Sequence, residues 1–186
     1  VQFKMSDNLL AWNIGPGLFY LDGKESKMLT TFSRNYVVTD SLIVYEDTRF
    51  NTVSVIYKGR NYPLFQVTGD LFMPEVIGDD LIAFRANGDF YKVFWRGRIY
   101  DLGVWMGDIK FNAGTSMLTF NDPTHRTFAI FEDGEFLDLE NQYVNAYKSG
   151  RGFAVYEDIN GNLIHYAKGK KTPLSNFTAS FWDAKD

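Results

Sequence analysis

The stretch Asp79–Leu102, DDLIAFRANGDFYKVFWRGRIYDL, carries the pattern from which the architecture follows. The apolar run Leu81-Ile82-Ala83-Phe84 ends in an aromatic residue and gives way to Asn87-Gly88. A second run, Phe90 to Arg96, is closed by Gly97, and Leu102 lies five residues beyond that glycine. β-Branched and aromatic residues fill the runs, while Gly, Asn and Asp bound them. That is the composition of short strands joined by tight turns.

The pattern recurs along the whole chain. Apolar runs ending in an aromatic start at Leu9, Leu42, Leu81, Met117 and Phe153, at steps of 33, 39, 36 and 36 residues. A glycine follows each of them, at Gly23, Gly59, Gly97, Gly134 and Gly169, at steps of 36, 38, 37 and 35. A leucine lies five residues beyond the glycine in four units (Leu64, Leu102, Leu139, Leu174) and six beyond it in the first (Leu29). Two landmarks in register over five units define a structural repeat.

Each unit reads as four strands. In the third unit these are Leu71 to Ile77, Leu81 to Arg85, Phe90 to Arg96 and Ile99 to Val104. Asn87-Gly88 and Asn160-Gly161 predict hairpins, because both central residues of a type I′ turn need φ > 0; Asp22-Gly23 and Asp133-Gly134 predict the same for the later turn. No segment of ten or more residues sustains an apolar 3.6-residue period, so essentially no helix is expected. The repeat units run approximately over 1–30, 31–66, 67–104, 105–140 and 141–176 of a single domain, 1–186, with an extra strand in 177–186.

A four-stranded unit of about 36 residues leaves apolar side chains on both faces, and stacking neighbours face to face buries them. The second strands are apolar at nearly every position instead of alternating, as expected for strands covered on both sides. The expected fold is all-β: a β-propeller of about five four-stranded antiparallel blades. The blade Asp79-Asp80-Leu81-Ile82-Ala83-Phe84, Phe90 to Gly97 and Leu102 is similar to the WD40-like blades of bacterial TolB-type proteins, a resemblance that spans the chain and implies a propeller.

Closure is a separate matter. Val1 to Ser6 takes the first-strand position of unit one, and Thr178 to Trp182 takes that of a sixth unit, so the sequence offers 21 strands where a five-bladed ring needs 20. A closed five-bladed ring, a part of a larger ring of six to eight blades whose rest is missing or supplied by another copy, and an open stack all fit, with the closed ring favoured. An uncovered blade face would be an apolar patch prone to association.

Composition excludes several functions. The chain has 186 residues, no cysteine, two histidines and a net charge of −4. Disulfides, thiol nucleophiles and thiolate metal sites are out. A pI near 5.2 argues against a nucleic-acid binder. No apolar run approaches the roughly 18 residues of a transmembrane helix, and Val1 to Asp7 lack the basic start and apolar core of a signal peptide. No cofactor or metal is expected. Richness in Phe, Asn, Asp and Lys suits a bacterial, extracytoplasmic protein.

Catalytic chemistry finds little support. His125 falls in a turn and His165 in a strand, and no nucleophile elbow accompanies either. Asp70, Glu75, Asp108 and Asp183 are the acids near first strands that a propeller glycosidase would use, whereas most other acids sit in turns. Asp158-Ile159-Asn160-Gly161-Asn162 lacks the distant glutamate of a calcium loop and reads as a hairpin turn. The remaining candidates are residues that a bland turn would not choose: Arg49, Phe50, Trp105, Met106, His125 and Arg126. They lie on the face formed by the second-to-third-strand turns and the links between units. Aromatics and arginines are favoured interface anchors, although Phe50 and Trp105 have the alternative of folding back onto the blade ends. The reading is a non-catalytic propeller acting as a protein-interaction module or a subunit of a larger assembly. A lectin-like carbohydrate-binding propeller stands second and a glycoside-active enzyme third.

Overall fold

The computed structural model describes residues 1–69, 71–104 and 107–185, and among these it contains no helix. Twenty strands form five four-stranded antiparallel sheets in sequence order. Blade 1 holds β1 (Gln2–Met5), β2 (Leu10–Ile14), β3 (Gly17–Asp22) and β4 (Glu25–Thr30). Blade 2 holds β5 (Tyr36–Val38), β6 (Leu42–Asp47), β7 (Thr52–Tyr57) and β8 (Arg60–Gln66). Blade 3 holds β9 (Val76–Ile77), β10 (Leu81–Ala86), β11 (Phe90–Trp95) and β12 (Arg98–Val104). Blade 4 holds β13 (Asn112–Ala113), β14 (Met117–Asp122), β15 (Thr127–Glu132) and β16 (Glu135–Glu140). Blade 5 holds β17 (Ala146–Ser149), β18 (Phe153–Glu157), β19 (Leu163–Ala167) and β20 (Lys170–Pro173).

The second strands of blades 2, 3 and 4 are buried on both faces because alternate residues serve different neighbours. Ile43 and Tyr45 of β6 pack on Ala11, Leu18 and Tyr20 of blade 1. Leu42 and Val44 of the same strand pack on Ile82 and Phe84 of blade 3. Leu81 and Ala83 meet Leu118 and Phe120 of blade 4, and Met117 meets Ala154 and Tyr156 of blade 5. Four apolar clusters thus fill the four junctions between consecutive blades. No such cluster joins blade 5 to blade 1 among the described residues, so the arc is open and the favoured closed five-bladed ring does not form.

The inner turns tie the blades together. Each is closed by the same backbone bond: Ser6 N to Leu9 O, Thr39 N to Leu42 O, Gly78 N to Leu81 O, Gly114 N to Met117 O and Gly150 N to Phe153 O, at 2.8–2.9 Å. Where the first turn residue is Ser6 or Thr39, its hydroxyl donates to the next blade, at Thr39 O (2.9 Å) and Asp79 O (2.6 Å). Where it is Gly78 or Gly114, the next blade's backbone comes so close that a Cβ would collide with the carbonyl oxygens of Gly114 and Gly150.

The outer hairpins explain the uneven glycine–leucine spacing. Lys58-Gly59, Arg96-Gly97, Asp133-Gly134 and Lys168-Gly169 all have φ > 0 at both positions, as type I′ requires. In blade 1 the loop between Asp22 and Glu25 is Gly23-Lys24. The glycine there stands first instead of second, which moves it one residue further from Leu29.

Other expectations need correction. The third blade's first strand is not Leu71 to Ile77; only Val76–Ile77 pairs with β10, and Leu71 forms a lone bridge with Thr68. Asn87-Gly88 is not a two-residue turn: β10 and β11 are joined by Asn87-Gly88-Asp89, with φ > 0 at Gly88 and Asp89. Asn87 instead clasps blade 2, accepting from Gln66 N (2.6 Å) and donating to Gln66 O (3.0 Å). Asn160-Gly161 belongs to a five-residue loop organised by Asp158, which accepts the amides of Asn160 and Asn162. The extra strand at Thr178 to Trp182 is absent. Residues 174–185 run over blade 5 without pairing as a strand, held by Leu163 N to Ser175 Oγ (3.1 Å) and a Lys148–Asp183 ion pair.

Candidate interaction surface

Two regions offer themselves to a partner: the open end of the arc at blade 1, and the face bearing the second-to-third-strand turns. At the open end, the inward residues Ala11, Leu18 and Tyr20 are buried against blade 2. The other side of the same sheet is bare. Phe3 pairs with Trp12, Trp12 with Phe19, and Phe19 with Met28, so these four side chains form one row across all four strands. The Trp12 and Phe19 rings stack with centroids 6.1 Å apart. Phe3 is 65% and Met28 54% exposed, and Met5 and Ile14 extend the patch. In blade 2 the repeat equivalents of Leu10 and Trp12 are Ile43 and Tyr45, which are buried because blade 1 covers them. The patch is therefore a blade-to-blade packing face without its blade.

On the turn face, the second-to-third-strand turns sit beside the links between blades. Thr48 N donates to Phe32 O (3.0 Å), and Val67 N to Asn51 O (2.6 Å). Buried Glu46 is held by Arg34 (2.6 Å) and by the Asn35 amide (3.1 Å). Arg49 grips Asp47 with two nitrogens, at 3.2 and 3.0 Å, and lies over the Phe50 ring at 5.0 Å. Burial pushes the Asp47 carboxyl up, but its hydrogen bonds from Arg49 and Thr30 outweigh that and hold it below the usual range. Phe50 does not fold back onto the blade; it is 65% exposed.

His125 and Arg126 lie two blades away, in the β14–β15 turn. His125 Nδ1 is 2.6 Å from Asp122 Oδ2, and this hydrogen bond raises the imidazole pKa. Asp122 also accepts the Thr124 amide at 2.8 Å. A cleft of about 200 Å³ beside this pair is walled by Phe120, Phe136 and Asp138. Asp138 accepts the Thr127 hydroxyl at 2.7 Å. Arg49 and Phe50 lie in the β6–β7 turn of blade 2 and His125 and Arg126 in the β14–β15 turn of blade 4, so these candidates fall on one face but belong to separate blades. Trp105 and Met106 lie outside the described residues, as does Asp70. Asp183 is ion-paired with Lys148, and His165 stacks on Phe153 with centroids 5.7 Å apart. Among the described residues no three His, Asp or Glu side chains are grouped to hold a metal.

From the sequence an uncovered blade face is expected to be apolar, and Phe3, Trp12, Phe19 and Met28 are not among the candidate residues. The signal was there: Phe3, Trp12, Phe19 and Met28 fall at mutually paired positions once the hairpins are drawn.

A family model described as "10-bladed beta propeller domain" matches residues 1–186. No curated protein matches the chain. Similar solved structures include the computationally designed Ika8 protein, 13% identical over 93% of this chain and 59% of that one, with a TM-score of 0.43. Hsv2p of Kluyveromyces lactis is 10% identical over 89% of this chain and 60% of that one, with a TM-score of 0.42. Prp20p of Saccharomyces cerevisiae is 10% identical over 89% and 57%, with a TM-score of 0.45. The chain spans less than two thirds of each of these structures.

Proposed function

Because the chain belongs to the 10-bladed beta propeller domain family, we propose that its five blades are one arc of a larger ring and that it works as a non-catalytic protein-interaction module within such an assembly. The bare face of blade 1 carries this reading. Covering a large apolar side chain is worth roughly 1.5–3 kcal/mol, and the row Phe3–Trp12–Phe19–Met28 has the form of a face built to be covered by another blade. The turn face with Phe50 remains free for a partner while the ends are engaged.

The test is the solution behaviour of the chain. The wild type is expected to exceed its monomer mass of 21.4 kDa in light scattering and to enhance the fluorescence of an apolar dye. The double variant Phe3→Ser/Met28→Lys is expected to lose both properties and keep its circular dichroism. A monomeric wild type that leaves the dye dark would overturn the reading.

A further inference from the structure

The cations of this acidic chain are gathered unevenly. The β7–β8 hairpin of blade 2 carries Lys58 and Arg60, and the β11–β12 hairpin of blade 3 carries Arg96 and Arg98. All four are exposed. Among the described residues none of them makes an ion pair, whereas Lys27, Arg34, Arg49, Lys92, Lys148 and Lys171 all do. The two hairpins touch: a Cβ on Gly97 would lie 2.8 Å from the Tyr62 hydroxyl and 3.8 Å from the Tyr57 ring. The four charges thus form one cluster at the outer edge of two adjacent blades.

Aromatic rings hold three of these cations in place. Lys58 Nζ lies 5.4 Å from the centre of Tyr57, Arg96 lies 4.6 Å from Trp95, and Arg98 lies 5.3 Å from Tyr100. A guanidinium stacked by its flat face keeps its N–H edges free, and those edges match the two oxygens of a carboxylate. Holding the side chain on a ring also removes part of the ordering cost that an arginine meets on binding. Beside the cluster runs a groove of about 500 Å³, lined by Tyr57, Lys58 and Arg96 together with Asp40, Ser41 and Asp80. Those acids are already engaged: Asp40 accepts the Asp7 amide (3.0 Å) and Asp80 the Ser116 amide (2.7 Å).

The neighbouring hairpins bound the cluster. The blade 4 hairpin presents Glu132, Asp133 and Glu135 with no cation, whereas in the blade 1 hairpin Asp22 and Glu25 alternate with Lys24 and Lys27. A long polyanion such as a nucleic acid would run from the cations onto the blade 4 carboxylates. A short acidic segment would end before reaching them. We propose that the hairpin edge of blades 2 and 3 docks a short acidic peptide segment of a protein partner, its carboxylates paired with Lys58, Arg60, Arg96 and Arg98.

The experiment is fluorescence anisotropy of a fluorescein-labelled oligoglutamate peptide titrated with the intact chain. Binding is expected, and it should weaken as salt is raised. Arg60→Glu/Arg98→Glu is expected to weaken it by about tenfold or more and to gain affinity for oligolysine. Arg60→Gln/Arg98→Gln, a milder change, should give an intermediate loss with an unaltered melting temperature. The proposal falls if the wild type does not bind oligoglutamate, or if both double variants bind it as the wild type does. It also falls if oligothymidylate binds the wild type more tightly than oligoglutamate.

Discussion

Thr39 donates its hydroxyl to the carbonyl oxygen of Asp79, at 2.6 Å, across the junction of blades 2 and 3. The same oxygen atom of Thr39 accepts the Leu42 amide at 2.9 Å and so closes its own turn. One side chain therefore fixes both a hairpin and its neighbour. Thr39→Ala removes both bonds and is expected to cost about 1–3 kcal/mol, whereas Thr39→Ser keeps them and should cost well under that. Urea denaturation of the two variants measures the difference.

At the junction of blades 4 and 5 the same task falls to a missing side chain. A Cβ on Gly114 would collide with the backbone carbonyl of Gly150, which cannot rotate away as a side chain would. Gly114 does not have positive φ, so alanine there meets only the steric problem. Gly114→Ala is expected to destabilise the chain by roughly 1–3 kcal/mol and to loosen the contact between blades 4 and 5. Thermal melts and amide exchange of blade 5 check both effects.

His125 gives a pH-dependent term of known sign. The Asp122 hydrogen bond and charge raise its pKa above the ordinary 6.5, so the folded chain favours the protonated ring. Stabilisation from this pair is fully present below pH 6.5, the unfolded-state value, and is lost as pH rises through the raised folded value. His125→Gln should remove that part of the pH dependence of the melting temperature above pH 6.5. An unchanged profile in the variant would show that the pair contributes nothing.

The blades were legible in the sequence because packing on two sides forces a second strand to be apolar throughout. Leu42 and Val44 face one neighbour while Ile43 and Tyr45 face the other. The hairpin glycines were legible because φ > 0 at two successive residues restricts what the second can be. What escaped depended on neighbours. Asn87 looks like a turn residue, yet its amide is spent on the Gln66 backbone of another blade. The tail looks like a first strand, but blade 1 already has its own in β1, and the tail is tied to blade 5 through Leu163 and Lys148 instead. The bare face could not be told from a covered one, since Leu10 and Trp12 are the same residue types as buried Ile43 and Tyr45. Residue type follows the repeat; exposure follows whether a neighbour is present.

That distinction predicts opposite outcomes for two phenylalanines. Phe84 is fully buried between blades 2 and 3, stacked 6.0 Å from Phe65, and Phe84→Ala should cost about 3–5 kcal/mol. Phe3 has the same side chain on the uncovered face of blade 1 and is 65% exposed. In dilute monomer, Phe3→Ala should stay within about 0.5 kcal/mol of the wild type. Under conditions where the chain associates, the same variant should lose stability with the lost contact, because whatever covers the face then contributes to folding by mass action. Denaturation at two protein concentrations separates these cases. A large cost for Phe3→Ala at high dilution would mean that the face is covered within the chain itself, and the open arc would be wrong.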